Sequence, residues 1–277
     1  MKQVAPLRYD VIFKKAFSDP EIFTAFVEAV LGIKLEIDKV ETEKSFAPPI
    51  GQVASRFDLF AEDTKNRVIV DIQHVPYEDH YDAFLHYHCA VILEQIIKAE
   101  NYRPQLAVYS IIVLTSGDKH KVDWAIIDFD PKTRAGKSLG EIPHKVVYLC
   151  PKYATDETPA PLREWLRAID DTLDSQVDEE QYQHPLIRRI FDHIEQDQVS
   201  PEERFRMIEE YNQEQYKLTL AQEAKAEGKA EGKVEGKAEG QSEAKVAIAR
   251  SLLAKDMDIV LISEVTGLPA AAIRNLK

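Results

Sequence analysis

Residues 55–75 read SRFDLFAEDTKNRVIVDIQHV, and Phe57 and Leu59 alternate in this segment with Asp58 and Phe60. A period of two is typical of β-strands, because successive side chains point to opposite faces of a sheet. The interruption Asp63-Thr64-Lys65-Asn66 has the polar composition of a turn. The same alternation resumes over residues 68–73. The segment therefore predicts a β-hairpin.

The sequence on either side of this hairpin predicts helices and further strands. Residues 10–17 and 19–32 have helically spaced apolar side chains, with Asp19-Pro20 at the start of the second helix and Gly32 at its end. After the hairpin we expect a helix over about residues 79–99. Apolar runs predict strands at residues 106–115, 124–129 and 145–150. This order predicts an α/β fold in which helices flank a mixed central sheet.

The composition changes after residue 152, where the prolines at positions 151, 159 and 161 mark a linker. Helices are expected near residues 162–173, 185–196 and 201–220, and no further strand is expected. The last of these helices begins with Ser200 and Glu203 at the spacing of a capping box. The C-terminal region is therefore predicted to be all-helical, and we divide the chain into residues 1–152, 153–220, 221–243 and 244–277.

The third of these regions contains an AEGK-like repeat with a period of four. Each of its glycines weakens a helix by about 1 kcal/mol relative to alanine, and the residues four apart carry like charges. We interpret the repeat as a marginal helix or a mobile tether. The terminal residues 244–277 resemble a helix–turn–helix pair, but only Arg274 and Lys277 are basic in its second helix. We therefore favour packing of these helices on themselves or on a second copy of the chain.

The charge of the chain excludes some classes of function. With 35 basic and 48 acidic residues among 277, the formal net charge is −13, so a basic surface that coats nucleic acid is not expected. The net charge does not exclude a metal-dependent enzyme. The two cysteines, Cys89 and Cys150, form no disulfide framework and no CxxC pair, so we expect a reducing, cytoplasmic location. No apolar run reaches the roughly 18 residues that span a membrane.

The hairpin carries the residues with the clearest chemical signal. A turn centred on Thr64-Lys65 places Asp58 opposite Asp71, and alternation places Gln73 on their side of the sheet. Directly opposed carboxylates in apolar surroundings repel each other and require a proton or a cation. Two carboxylates with water and a substrate phosphate suit Mg²⁺ or Mn²⁺. The alternative is an exposed hairpin end at which both acids are solvated.

Other motifs give weaker signals. His74, His80, His86, His88 and Cys89 are close in sequence, but their spacing fits neither an HxxxH pair nor a zinc finger. The sequence contains no GxxxxGK[ST], GxGxxG or GxSxG motif, which excludes nucleotide binding and acyl transfer of those types.

The order of motifs resembles a known family. Asp10-x-x-Phe13-Lys14-x-x-Phe17 is followed by Leu31-Gly32-Ile33, Phe57-Asp58-Leu59, Val70-Asp71-Ile72-Gln73 and a long helix that ends in Glu100-Asn101-Tyr102. This pattern, over about residues 5–150, is similar to the PD-(D/E)XK nuclease superfamily in its recombination-promoting nuclease and transposase branch. The AEGK-like repeat with a short helical end is also typical of that branch.

The resemblance implies a restriction-endonuclease-like core and Mg²⁺- or Mn²⁺-dependent cleavage of DNA. By this resemblance, Asp58 and Asp71 correspond to the catalytic, metal-binding acids of the family. Gln73 stands at the position of the superfamily lysine. Asp10 supports the site and Lys14 is a candidate for phosphate contact; an exposed helix lysine is the alternative for Lys14. Asp71 stands where the branch more often has glutamate.

Three functions follow from these patterns. The first is a metal-dependent DNA endonuclease linked to recombination or mobile elements. The second is a catalytically degenerate nuclease fold that binds DNA or protein. The third places the function in the C-terminal helices and treats the core as a dimerisation platform. DNA and, through the C-terminal helices, a second copy of the chain are the expected partners; a membrane is not.

Overall fold

The predicted hairpin lies at the centre of a six-stranded mixed sheet. A computed structural model describes residues 1–46, 55–74, 80–97 and 104–276 of the chain. Within that part, the strands of this sheet are β2 (Glu41–Phe46), β3 (Ser55–Glu62), β4 (Asn66–Gln73), β5 (Ala107–Leu114), β6 (Trp124–Asp128) and β7 (Lys145–Leu149), in the order β2-β3-β4-β5-β7-β6. A separate two-stranded ladder pairs β1 (Lys2–Gln3) with β8 (Gln176–Val177).

The register of the hairpin agrees with the one expected from its turn. Leu59 pairs with Val70 and Phe60 with Ile69, as a turn centred on Thr64-Lys65 requires. The Asp63 carboxylate accepts hydrogen bonds from the backbone N–H groups of Lys65 and Asn66, each at 2.7 Å. This local bonding fixes the turn and therefore the pairing of every residue along both strands.

Helices cover both faces of the sheet. Those described are α1 (Asp10–Phe17), α2 (Pro20–Leu31), α3 (His80–Ile97), α4 (Ala160–Asp171), α5 (Pro185–His193), α6 (Pro201–Leu253), α7 (Ile259–Thr266) and α8 (Ala270–Arg274). The largest apolar cluster joins α1, α2, α4 and α5 to one face of the central strands. On the other face, two smaller clusters join the sheet to α3. The central strands β5 and β7 are consequently buried on both faces.

The ends of the predicted helices show why they form where they do. Asp19 accepts hydrogen bonds from the N–H groups of Glu21 and Ile22, and Gly32 adopts φ +68° directly after α2. Ser200 and Glu203 form the reciprocal pair of the predicted capping box, with 2.7 Å from the Ser200 N–H to the Glu203 carboxylate. The predicted ends of α2 and the predicted capping box at the start of α6 are therefore confirmed.

Three features of the structure differ from the sequence-based expectation. The edge strand β2 was not predicted, because its sequence ETEKSF is mostly polar and half exposed. The expectation of no strand after residue 152 is wrong, since Gln176–Val177 forms β8. The helix expected over residues 201–220 continues to Leu253 and includes the AEGK-like repeat.

The structure divides into two compact units, Met1–Tyr211 and Asn212–Lys277. In the first, Trp165 of α4 lies against Phe17 and Phe26, so the helices after residue 152 share the core of the sheet. In the second, Ala249, Ile262 and Ile273 form a small buried core. The finer boundaries at residues 152, 220 and 243 remain predictions.

A buried polar cluster under α3 makes the stability of the first unit sensitive to acid. His88 is fully buried, its Nδ1 lies 2.9 Å from Ser110 Oγ, and its ring stacks on Phe129. The N–H of Val108 donates to His144 Nδ1 nearby. Burial, with a smaller contribution from His144, lowers the pKa of His88 to about 3.

We predict that replacing His88 weakens the acid sensitivity of folding. An exposed histidine has a pKa of about 6.5, so between about pH 6.5 and 3 the unfolded chain binds more protons at this site than the folded chain. The free energy of unfolding therefore falls as the pH is lowered, by at most about 1.4 kcal/mol per pH unit from this group. Urea denaturation from pH 7 to 4.5 should show a shallower fall for His88→Gln. His86→Gln, which alters an exposed histidine of the same helix, should keep the wild-type slope, and an equal slope in both variants would contradict the prediction.

Candidate active site

The backbone ladder of the hairpin ends beside Asp58 and Asp71. Leu59–Val70 is the last described residue pair of the β3–β4 ladder, and Asp58 and Asp71 are the next residues on each strand. Each carboxylate bonds across to the backbone of the other strand. The N–H of Asp58 donates to Asp71 Oδ1 at 3.1 Å, and the N–H of Ile72 donates to Asp58 Oδ2 at 2.9 Å. The two acidic side chains therefore take the place of backbone carbonyls where the strands separate.

The pairing of β3 with its other neighbour, β2, is also interrupted at Asp58. The β2–β3 pairing includes Thr42–Leu59 and Lys44–Phe57 but omits the residue pair between them, which is Glu43 and Asp58. Glu43 has φ +57°, a left-handed conformation that is uncommon for residues other than glycine. Strain of this kind persists only where the surrounding structure holds it, and it clusters at functional sites.

The irregularity changes which way the β3 side chains point. Phe57 and Phe60 both lie in the cluster under α3, whereas Leu59 lies in the cluster on the opposite face. Strict alternation would have placed Phe57 with Leu59. The register expected from the sequence is therefore observed as far as Leu59–Val70, but the break in alternation that brings Asp58 within reach of α1 was not expected.

Helix α1 supplies a lysine to this group of acids. Lys14 Nζ lies 2.7 Å from Asp10 Oδ2, 3.4 Å from Glu43 Oε1 and 3.5 Å from Asp58 Oδ1. Asp10 and Lys14 are four residues apart and share one face of α1, while Phe13 and Phe17 are buried in the core. The side chain of Lys14 is 11% exposed, so it is not the exposed helix lysine that was the alternative.

The start of α1 is held by the first turns of α6. The Glu210 carboxylate accepts a hydrogen bond of 3.0 Å from the backbone N–H of Asp10. Lys15 forms an ion pair of 2.9 Å with Glu203. These contacts fix the position of α1 along the sheet, and with it the position of Asp10 and Lys14 beside Asp58.

Burial and mutual repulsion dominate the electrostatics of the site. Burial and then the charge of Asp10 raise the pKa of Asp58 to about 7. Burial and then the charge of Asp58 raise the pKa of Asp71 well above its usual range. Burial alone would lower the pKa of Lys14, but its hydrogen bond to Asp10 and the charge of Asp58 outweigh burial and raise it. The site is thus a group of crowded carboxylates with one ammonium among them.

Gln73 lies at the C-terminal end of β4, two residues beyond Asp71. Its carbonyl oxygen accepts hydrogen bonds from the N–H and the hydroxyl of Thr115 at 2.9 and 3.2 Å. His74 follows, with 2.9 Å between its Nδ1 and Thr115 Oγ1 and 2.8 Å between its Nε2 and Arg8 Nη1. Within the described part of the chain, no contact joins the Gln73 side chain to the carboxylates, so the structure brings together Asp10, Lys14, Asp58 and Asp71 but not Gln73.

Sequence reasoning missed several residues of this site. Glu43 lies in a segment without a recognisable motif, and Glu210 lies far away in the chain. No local pattern signals them, because their positions depend on how β2, α1 and α6 pack.

The donor chemistry of the site fits a hard divalent cation. Asp58 and Asp71 offer carboxylate oxygens, and Asp10 Oδ1 is buried without a hydrogen-bond partner among the described residues. Mg²⁺ is commonly bound by one or two carboxylates, with water and substrate phosphate as the other ligands. In the described ranges, no group of three or more His, Cys, Asp or Glu side chains surrounds a common point for a metal ion. Lys14 lies among the acids instead.

The histidines that are clustered in the sequence have different partners in space. His74 contacts Arg8 and Thr115, His80 faces Asp118 at 3.6 Å, and His88 lies beside Ser110. They do not converge on one point.

Comparison with known proteins assigns the family. The family model of the PD-(D/E)XK nuclease family transposases matches residues 7–223 of the chain. Because this match covers most of the sequence, the chain belongs to that family.

Comparison with curated proteins and with solved structures gave no match. Among the described residues, no helix is long and apolar enough to cross a membrane.

We predict that Asp71→Asn stabilises the folded protein in the absence of divalent metal. Asparagine keeps the oxygen that accepts from the Asp58 N–H but removes a buried charge that Asp58 repels. The free energy of unfolding at pH 7.5 with EDTA should rise by on the order of 1 kcal/mol, as is common when a functional site is relaxed.

Asp63→Asn is the matched control for this prediction. Burial raises the pKa of Asp63, but the backbone donors Lys65 and Asn66 outweigh it and lower the pKa overall. Neutralising this turn residue should therefore destabilise the fold. A loss of stability in Asp71→Asn equal to that in Asp63→Asn would contradict the repulsion inferred at the site.

Proposed function

We propose that this PD-(D/E)XK nuclease family member is a DNA endonuclease that hydrolyses phosphodiester bonds with Mg²⁺ or Mn²⁺ and acts in recombination or in mobile-element biology. The observation that carries the proposal is the carboxylate pair of buried Asp71 and half-buried Asp58, each bonded to the backbone of the other strand where β3 and β4 separate. Structural acids are seldom buried against each other, whereas nuclease sites need such a pair.

Each residue has a role in this proposal. Asp58 and Asp71 would hold the cation, with Asp10 beside them. A bound divalent cation polarises a phosphate and lowers the pKa of a water molecule. Lys14 would donate a hydrogen bond to a phosphate oxygen of the DNA. Gln73 carries no charge and is no base, so its amide would orient water or phosphate by hydrogen bonds.

DNA is the proposed partner despite the net charge of −13. The acids around Asp58 repel a phosphate backbone, so DNA binding at this site should depend strongly on divalent cation. A cytoplasmic location, where thiols stay reduced, fits this proposal and the two free cysteines.

Cleavage of supercoiled plasmid tests the proposed function. Purified protein with Mg²⁺ or Mn²⁺ should nick or linearise the DNA, and EDTA should abolish the reaction. Asp58→Asn and Asp71→Asn should each lower the rate by more than about 100-fold, because each removes a charge that the transition state requires.

Asp63→Asn, an acid of the same hairpin outside the site, should keep the wild-type rate at a temperature at which circular dichroism shows the variant folded, because the asparagine oxygen can still accept the hydrogen bonds of the turn. Cleavage that survives both site substitutions would point to a contaminating nuclease or to another site, and the proposal would fail. DNA binding without cleavage under all metal conditions would support the catalytically degenerate alternative.

The C-terminal unit is proposed to join copies of the chain, with the repeat as a spacer. Its described core contains three fully buried apolar side chains, which is small for an independent fold. Val260, Leu261 and Val265 of α7 are between 45% and 64% exposed, and Ile248 of α6 is 49% exposed. Exposed apolar residues at this density favour burial against a second copy.

We predict that charges on α7 reduce self-association. Val260→Lys combined with Val265→Lys should shift the mass measured by light scattering toward that of the monomer, because lysines resist burial in an apolar interface. Leu139→Lys changes a residue of the first unit that is 53% exposed and should leave the mass unchanged. An unchanged oligomer in the α7 variant, or a monomeric wild type, would exclude association through this surface.

A further inference from the structure

Lys14 lies beside Asp58, one of the two acids that would hold a metal ion. Its ammonium lies within 3.5 Å of oxygens from three different acids, Asp10, Glu43 and Asp58. The described structure places no comparable cation beside Asp71. Lys14 therefore acts as the internal counter-ion of the carboxylate group, and it competes for the same oxygens as an incoming cation.

A divalent cation on Asp58 competes with Lys14 for Asp58 Oδ1, because Asp58 Oδ2 already accepts the N–H of Ile72. Two positive charges that share one carboxylate repel each other strongly where water is largely excluded. Since Lys14 comes from α1 and Asp58 from β3, rotation of the lysine side chain can separate them without moving either backbone. The ammonium then keeps Asp10, 2.7 Å away, as its first acceptor and needs a second one within reach.

Glu43 supplies that acceptor. Its Oε1 already lies 3.4 Å from Lys14 Nζ, and its Oε2 pairs with Arg56 at 2.6 Å. The left-handed backbone of Glu43 sits where the pairing of β2 with β3 is interrupted beside Asp58. Arg56 fixes this carboxylate from the side away from Lys14, so Glu43 keeps its orientation when Asp58 changes partner.

We infer that Lys14 is an exchangeable counter-cation, which leaves Asp58 when a divalent cation binds and is then held by Glu43. This inference rests on the proposed function in one respect, the binding of a divalent cation by Asp58 and Asp71. It adds a role for Glu43, which tunes metal affinity through Lys14 without being a ligand. The affinity of the site for a divalent cation is accordingly set by the competition between that cation and Lys14 for Asp58, and not by the acids alone.

Calorimetric titration of the full-length protein with Mn²⁺, without DNA, tests the inference. Lys14→Met removes the competing charge and should tighten Mn²⁺ binding by about tenfold or more, as expected for a unit charge at this distance in a partly screened site. Lys14→Gln should tighten binding similarly, and provides a second variant if the first does not fold. Lys14→Arg, which keeps the charge, should not tighten binding.

Lys34→Met is the control, a lysine of the first unit outside the site. The Lys34 side chain is 80% exposed and lies 3.8 Å from Glu28, so its removal should change Mn²⁺ affinity by less than about twofold. Circular dichroism and thermal unfolding of every variant confirm that the compared proteins are folded.

Glu43→Gln separates the proposed role from direct ligation. In the wild-type background it should weaken Mn²⁺ binding severalfold, because Lys14 loses its second acceptor and stays on Asp58. In the Lys14→Met background the same change should have little effect. An equal loss in both backgrounds would identify Glu43 as a ligand and overturn its assigned role.

The outcomes also separate this inference from the proposed function. If wild-type protein binds Mn²⁺ through Asp58 and Asp71 but Lys14→Met and Lys14→Gln bind no tighter, the exchange is wrong and the metal site stands. If no variant binds Mn²⁺ at all, both the metal-dependent function and the exchange are wrong.

Discussion

Two carboxylates of like charge lie side by side at the point where a β-ladder stops, and the arrangement of the surrounding residues is adapted to them. Asp58 and Asp71 each accept a backbone hydrogen bond from the opposite strand. These bonds compensate part of the cost of burying the acids, but burial and repulsion still raise both pKa values. The remaining compensation comes from a cation, which is Lys14 in the protein alone.

The scaffold explains how such a costly arrangement is tolerated. Strand β4 pairs along its whole length with β5, and β5 pairs with β7 over Tyr109–Val113, so Asp71 is carried by a fully paired strand inside the sheet. Apolar clusters cover both faces of these strands. On the other side, β3 and β2 absorb the distortion through the unpaired position at Asp58 and the left-handed Glu43. The fully paired strand β4 thus carries Asp71, and the irregularly paired strand β3 carries Asp58. Support of this kind from the scaffold is what functional sites require.

The parts of this structure that depend on local sequence could be predicted, and the parts that depend on packing could not. The Asp63–Asn66 turn determined the hairpin register, and Asp19 and Gly32 determined the ends of α2. Strand β2 escaped prediction because an exposed edge strand needs few apolar residues. The helical state of the AEGK-like repeat within α6 shows that its alanine, glutamate and lysine residues outweigh the glycines, which the glycine cost alone did not indicate. Glu43 and Glu210 come near Asp58 and Asp10 only through tertiary contacts, so the hairpin motif drew attention to the two acids but could not indicate what surrounds them.

The most direct test of this account is a crystal structure of the protein with Mn²⁺, in which anomalous scattering locates the ion. The account predicts one peak within ligand distance of both the Asp58 and the Asp71 carboxylates, with the Lys14 ammonium moved from Asp58 to Glu43. An ion bound elsewhere at saturating Mn²⁺, with Lys14 still on Asp58, would contradict it.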